Sequence, residues 1–452
     1  MHSWSRLRKR AAPALAALLL AGGASCGRIV ITAVVEPDPA RDAGIDGGYD
    51  AGYDAGIDAG YDAGTDAGYD AGTDAGYDAG TDAGLPGGCP PRAATGSSAL
   101  AYQIDPGHSG GQPGDSLTLP LCERWSRDLG ATVSYPVVEG GRVFVTLGGT
   151  GASTSALVAL DQQTGRTLWG PVELGGFYPR ANATAEGDRV FASNTSGLLR
   201  AFDAATGTQK WSTQMPGQYF FSSPPTARDG LVYLGGAGGG GTVYAVDEKD
   251  GRVVWTGPVA NGDQSTPAVG DREVYVSYAC NQAYGFDRAT GALRWHSSGP
   301  CEGGGGKTVA LAGGAVYTRD YYGNLILDAA DGHQKGTYAS RPIPAFDALR
   351  AFITADTRIS AQLLADGATA WSFGSSAAPI DLAPIVVGAQ VVTGSSSGQL
   401  YVLDAATGAL LSTRVLAGLA APDEQNVSAP LTGLAAADGM LFVPAGPRLV
   451  AY

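Results

Sequence analysis

The residues able to do chemistry are few, and their spacing excludes most of it. The chain has four histidines, His2, His108, His296 and His333. None stands at the spacing of a zinc site, and none has an evident triad partner. The run from Cys301 to Thr308, CEGGGGKT, has the look of a phosphate loop. It lacks the first Gly of that motif and the following helix whose N–H groups would cradle a phosphate, so a flexible loop is expected. From Asp42 to Asp82 an Asp recurs at every fourth position. Carboxylates at a fixed period can ligate calcium, but these glycines are placed unlike those of calcium repeats and nothing closes a coordination shell. No catalytic residue and no metal ligand is therefore expected.

The five cysteines are Cys26, Cys89, Cys122, Cys280 and Cys301, and no two are adjacent. Cys26 follows a basic leader (Arg6, Arg8, Lys9, Arg10), a short apolar run over 11–24 and a string of small residues. That run has the form of a secretory h-region and is too short for a stable transmembrane helix. The junction resembles a bacterial lipobox, in which the Cys is diacylated and begins the mature chain. Gly23 stands three residues before it, where Leu is usual. Residues 1–25 are thus read as a lipoprotein signal peptide and Cys26 as the lipidation site, which implies export and a lipid anchor in the outer membrane. Four cysteines remain, and an even number in an exported chain implies two disulfides, of which Cys89–Cys122 and Cys280–Cys301 are the local pairings.

Residues 26–84 are read as the lipidated N-terminus and tether, of which 41–84 repeat Asp-Ala-Gly plus one variable residue and have no aliphatic cluster with which to offset their ordering entropy. A disordered, self-repelling tether is expected, reaching roughly 35–40 Å. Residues 1–84 hold six of the 29 basic residues and 13 of the 43 acidic ones. Residues 85–452 carry 23 basic against 30 acidic residues, are mildly acidic without a basic stripe, and are no candidate for nucleic-acid binding.

The elements that would position any site come from a repeat of about 41 residues. Its cleanest copies are LVALDQQTGRTLW (157–169), LRAFDAATGTQKW (199–211), VYAVDEKDGRVVW (243–255) and AYGFDRATGALRW (283–295). Alternating apolar residues predict a strand covered on both faces. Asp161, Asp203, Asp247 and Asp287 can accept N–H groups across a turn, and Gly165, Gly207, Gly251 and Gly291 supply its positive φ. Trp169, Trp211, Trp255 and Trp295 would wedge between neighbouring units with the indole N–H on a nearby carbonyl. A later copy at 400–412 keeps Asp404 and Gly408 but ends in Ser412, and two weaker copies lie at 325–336 and 362–371. This pattern resembles the repeat of the pyrroloquinoline-quinone-binding-like β-propellers over about 330 residues, from Cys122 to Tyr452.

Eight outer strands and eight third strands can be counted. The repeat region opens on a lone outer strand at Trp125 and closes on a lone third strand at 448–452. Pairing the two would close the ring and remove both free edges. The expected fold is all-β, an eight-bladed β-propeller of four-stranded antiparallel blades closed by its N- and C-terminal strands. It spans 122–452 after an N-terminal extension at 85–121 and the tether.

In such a ring one face carries the Asp-x-x-x-Gly turns, and the other carries the connections between blades and those between second and third strands. Cys280 and Cys301 fall on this connection face. With them come Phe177, Tyr178, Tyr219, Phe220, Asp263, Gln264, Lys307, Asp320, Tyr321 and Tyr322. Such a mixture suits a polar ligand, a glycan or a peptide edge, although the aromatics could equally plug the channel or pack between blades. The resemblance implies two functions. Enzymes of this family hold pyrroloquinoline quinone and calcium in the central funnel beneath a disulfide of adjacent cysteines, which this chain lacks, and no Glu–Asn–Asp ligand set aligns. A second group, similar in anchor, blade number and repeat, comprises the non-catalytic propeller lipoproteins of outer-membrane β-barrel assembly. The leading expectation is accordingly a monomeric, non-enzymatic lipoprotein that binds protein or glycan partners without a cofactor. The quinone-dependent oxidoreductase is the alternative.

Overall fold

The computed structural model describes residues 89, 92, 94–149, 154–260, 264–299, 305–374 and 378–452. The leader, Cys26 and the Asp-Ala-Gly repeat lie outside the described residues, as do Asp263 and Cys301. The described residues form strands and no helix, gathered into eight antiparallel blades. Blade 2 shows the plan: Ala181–Glu186 innermost, then Arg189–Asn194, Leu198–Asp203 and Gln209–Gln214 outermost, each paired with the next. The second strand of each blade is largely buried, because both its faces are covered by neighbouring blades. The outer strands alternate with solvent.

The ring closes as the unmatched ends require. Trp125–Asp128 pairs antiparallel with Arg448–Ala451, so blade 8 takes its outer strand from the beginning of the repeat region and its other three from the end. Phe442, Leu449 and Val450 are fully buried there and join blades 7, 8 and 1 in one cluster. A disulfide between Cys89 and Cys122 fastens the chain just before this closing strand.

Blades are held together by a repeated contact at the turn between third and fourth strands. The Trp169 indole N–H donates to the Ala204 carbonyl of the next blade at 3.0 Å. Trp211 does the same to Glu248 at 2.8 Å, Trp255 to Arg288 at 2.9 Å and Trp295 to Ala329 at 2.9 Å. Trp371 reaches Ala405 at 3.0 Å, and Trp125 reaches Gln162 at 2.9 Å across the closure. Each acceptor follows the turn Asp, or Asp328 in blade 5. The turn is fixed from within: the N–H and hydroxyl of Thr206 both donate to Asp203 at 3.0 Å, and Thr290 and Thr407 serve Asp287 and Asp404 likewise. Hydrogen bonds from Lys210 and Thr206 hold Asp203 down to about 2, and Arg294 and Thr290 do the same for Asp287.

The turn glycine has a second reason to be glycine besides its backbone conformation. A Cβ on Gly207 would sit 2.6 Å from the Trp169 ring, and one on Gly165, Gly251, Gly291 or Gly408 would strike Trp125, Trp211, Trp255 or Trp371 within 2.5–2.6 Å. The exceptions obey the same logic. Blade 5 has Gly336 where Trp would stand, and the facing turn of blade 6 has Leu363 for Asp and leaves Gly367 with open space around it. Blade 7 has Ser412, and its neighbour blade 8 has no such turn, because its third and fourth strands are the two ends of the repeat region. Tryptophan and turn are lost together.

Gly207 (φ +71) and Gly187 (φ +60) are both left-handed turn glycines of blade 2, but only Gly207 touches a tryptophan. We expect Gly207→Ala to destabilise the fold by about 1–3 kcal/mol more than Gly187→Ala in urea titrations. Equal losses would mean that the ring contact does not hold the blades.

Candidate functional site

Two segments of the chain close the central channel. Residues 99–112 run around the inner wall on the side of the Asp-x-x-x-Gly turns. The Ala99 N–H donates to Val138 of blade 1, and Ala185 of blade 2 donates to Leu100. Val269, Leu311, Phe346 and Val386 of blades 4 to 7 donate in turn to Pro106, Gly107, Ser109 and Gly110. Gly111–Gln112 then adds a parallel strand to Ile385–Val387, and the Gln112 amide reaches Ala436 of blade 8. Buried His108 completes the circuit, with Nδ1 2.7 Å from the Tyr102 carbonyl and Nε2 3.0 Å from that of Pro267 and 3.3 Å from the Thr226 hydroxyl. Burial holds this imidazole below its ordinary pKa. The N-terminal extension is thus a stopper that touches all eight blades.

The opposite, connection side is closed by the long segment between blades 7 and 8. Arg180, fully buried, donates to the carbonyls of Glu424 at 3.0 Å and Asn426 at 2.8 Å. Glu424 forms a buried ion pair with Arg319 and accepts the Thr308 N–H at 2.5 Å. Burial alone would push the Glu424 carboxyl up, but Arg319 and the Thr308 N–H outweigh it and hold the pKa below its usual value. Gln264 donates to the Gln425 carbonyl at 3.3 Å, and Gln425 to that of Gly306 at 3.0 Å. The two stoppers meet at Tyr102: a Cβ on Gly433 would come within 3.1 Å of its ring.

The residues expected on the connection face divide into two groups. Phe177, Tyr178 and Tyr219 are 64%, 40% and 64% exposed, so they neither plug the channel nor pack between blades. Tyr178 meets half-buried Phe220 edge to face at 5.9 Å, and Tyr219 covers Gly238. Lys307, Asp320, Tyr321 and Tyr322 line a separate cleft of about 940 Å³ over blades 5 to 7, floored by Arg319 and walled by residues 421–425. Gln264 belongs to neither group, being buried against the stopper. Cys280 is buried and held in a disulfide. Arg180, Arg319, Glu424 and Tyr102 were not singled out from sequence. The one signal for them was length, since the connection from Val415 to Ala435 far exceeds the others.

Among the described residues, one group of side chains could hold a metal ion: Asp328, Asp331 and His333, on the turn of blade 5. There Asp331 stands where four other turns have Thr, as Asp250 and Asp366 do in blades 3 and 6, and His333 Nδ1 lies 2.6 Å from its carboxylate. Asp331 and His333 are exposed and outside both the channel and the cleft.

The family model described as outer membrane protein assembly factor BamB matches residues 153–372 and 282–443. The outer membrane protein assembly factor BamB of Yersinia pestis is 27% identical over 261 residues, 53% of this chain and 58% of that protein. The chain thus spans little more than half the length of that relative. A tetrathionate hydrolase of Acidithiobacillus ferrooxidans is 24% identical over 208 residues, 42% of this chain and 40% of that enzyme. In solved structures, BamB from Moraxella catarrhalis superposes with a TM-score of 0.54 at 17% identity, over 73% of this chain and 99% of that one. Quinohemoprotein alcohol dehydrogenase from Comamonas testosteroni gives 0.61 at 15% identity, over 79% of this chain and 80% of that one. At such identities the structural likeness shows the fold alone.

The pair at the channel centre tests whether the segment at 421–426 is a fixed part of the ring. Glu424→Gln leaves the Arg319 charge buried without its carboxylate, at an expected cost of about 3–5 kcal/mol in urea unfolding. Replacing both partners by apolar residues (Arg319→Met with Glu424→Leu) should recover most of that loss. A single substitution without cost would show that the segment lifts away in solution.

Proposed function

Since the chain belongs to the family of outer membrane protein assembly factor BamB, we propose that it is a non-catalytic propeller that binds protein partners in the assembly of outer-membrane proteins. In this reading it works on the periplasmic side of the outer membrane, anchored by a lipid on Cys26. The observation that carries the non-catalytic part is the filled channel. Tyr102, His108, Arg180, Arg319 and Glu424 occupy the place where a propeller enzyme would keep its reacting groups, and each is 5% exposed or less. These side chains do not fit pyrroloquinoline quinone with calcium. A calcium site needs free carboxylate oxygens, whereas Glu424 is already engaged by Arg319 and Thr308. The exposed aromatics Phe177, Tyr178 and Tyr219 have the composition of a binding surface and stand outside the channel.

Removal of the protein from its bacterium tests the assembly role. The quantity to measure is the amount of folded β-barrel protein in the outer-membrane fraction. It should fall without this chain and recover when the chain is restored. Unchanged amounts would overturn the reading.

A further inference from the structure

The cleft over blades 5 to 7 has a charge arrangement that its own residues leave incomplete. Four of its five carboxylates are engaged: Asp320 accepts the Tyr322 and Asn281 N–H groups at 2.9 and 3.3 Å, Asp381 that of Ser396 at 2.7 Å and Asp423 that of Gln425 at 3.1 Å, and Glu424 is paired with Arg319, while Asp356 at the rim is exposed and has no partner among the described residues. Of its three cations, Arg319 is paired and the other two are not. Neither the Lys307 ammonium nor the Arg341 guanidinium has a hydrogen-bond or ion-pair partner among the described residues, and both line the cleft. Lys307 is half-buried, and this burial, reinforced by Arg319, lowers its pKa even though Glu424 and Asp320 act in the opposite sense. Deeper in the cleft, Thr354 is 2% exposed and its Oγ1 has no partner. A buried hydroxyl without a partner costs about 1–3 kcal/mol, which a ligand atom would relieve.

The mouth differs in kind. Tyr321 and Tyr322 are 94% and 63% exposed and meet edge to face at 5.6 Å. Two tyrosine rings held out in solvent beside polar groups match a molecule with flat apolar faces and polar edges, which describes a pyranose ring. An extended peptide would use an open strand edge or an apolar socket. Here the walls are mostly connections between strands, and Ile380, the large aliphatic side chain of the lining, is itself buried.

We propose that this cleft binds a carboxylate-bearing saccharide. Its rings lie on Tyr321 and Tyr322, its acid group on Lys307 and Arg341, and a hydroxyl on Thr354. The inference does not depend on a role in outer-membrane protein assembly, and either can fail without the other.

Calorimetric titration of the full chain with trigalacturonate is the test, with neutral galactotriose and triglutamate as the comparison ligands. Trigalacturonate should bind saturably and at least about tenfold more tightly than either. Lys307→Met and Tyr321→Ala should each weaken it by about tenfold or more while the melting temperature stays unchanged. Four results would overturn the proposal: no saturation by about 10 mM trigalacturonate, equal binding of galactotriose, equal binding of triglutamate, or unaltered affinity in Lys307→Met.

Discussion

Six tryptophans pin each of six blades to its neighbour, and the architecture depends on that contact. The indole gives its N–H to a carbonyl just past the neighbour's turn Asp, while its ring lies against the glycine of the same turn. One side chain thereby fixes the separation, the tilt and the register of two sheets that share no backbone ladder. The turn is rigid enough to be docked upon because its Asp is bonded to backbone N–H groups and, in most copies, to a Thr hydroxyl. Cooperation between an internally bonded turn and a flat aromatic explains why the motif survives as a unit. It also explains why blades 5 and 7 dispense with the tryptophan where the facing turn is altered or absent.

Much of this was legible in the sequence because the contact is local and repeated. Asp203, Gly207 and Trp211 recur at fixed offsets, and the offset between copies gives the blade. The lone strands at Trp125 and at 448–452 predict the closure, since a ring whose ends do not match must pair them. The steric reason for Gly207 was hidden, because the tryptophan it touches belongs to the preceding blade, about 40 residues away in sequence.

The centre of the ring was not legible, for a different reason. Residues 99–112 carry no strand alternation, and they acquire their conformation from eight blades that are remote in sequence. Glu424 and Arg319 lie 105 residues apart, in segments with no common period. Single-copy contacts leave no self-similarity to align. The connection face was anticipated as one surface, but the stopper at 421–426 reorganises it. Part of that segment walls the cleft that holds Lys307 and Tyr321, leaving Phe177, Tyr178 and Tyr219 as a separate patch.

The fold is shared with cofactor-dependent enzymes, so the decisive property is what fills the channel. In this chain the channel holds its own N-terminal stopper, a buried ion pair and a buried histidine, and the groups available to a partner lie outside it. The most direct test of that account is calorimetric titration of the full chain with pyrroloquinoline quinone in the presence of calcium. The expected result is no saturable heat. Stoichiometric binding would contradict the account, because it would require the stoppers to leave and the channel to serve as an active site.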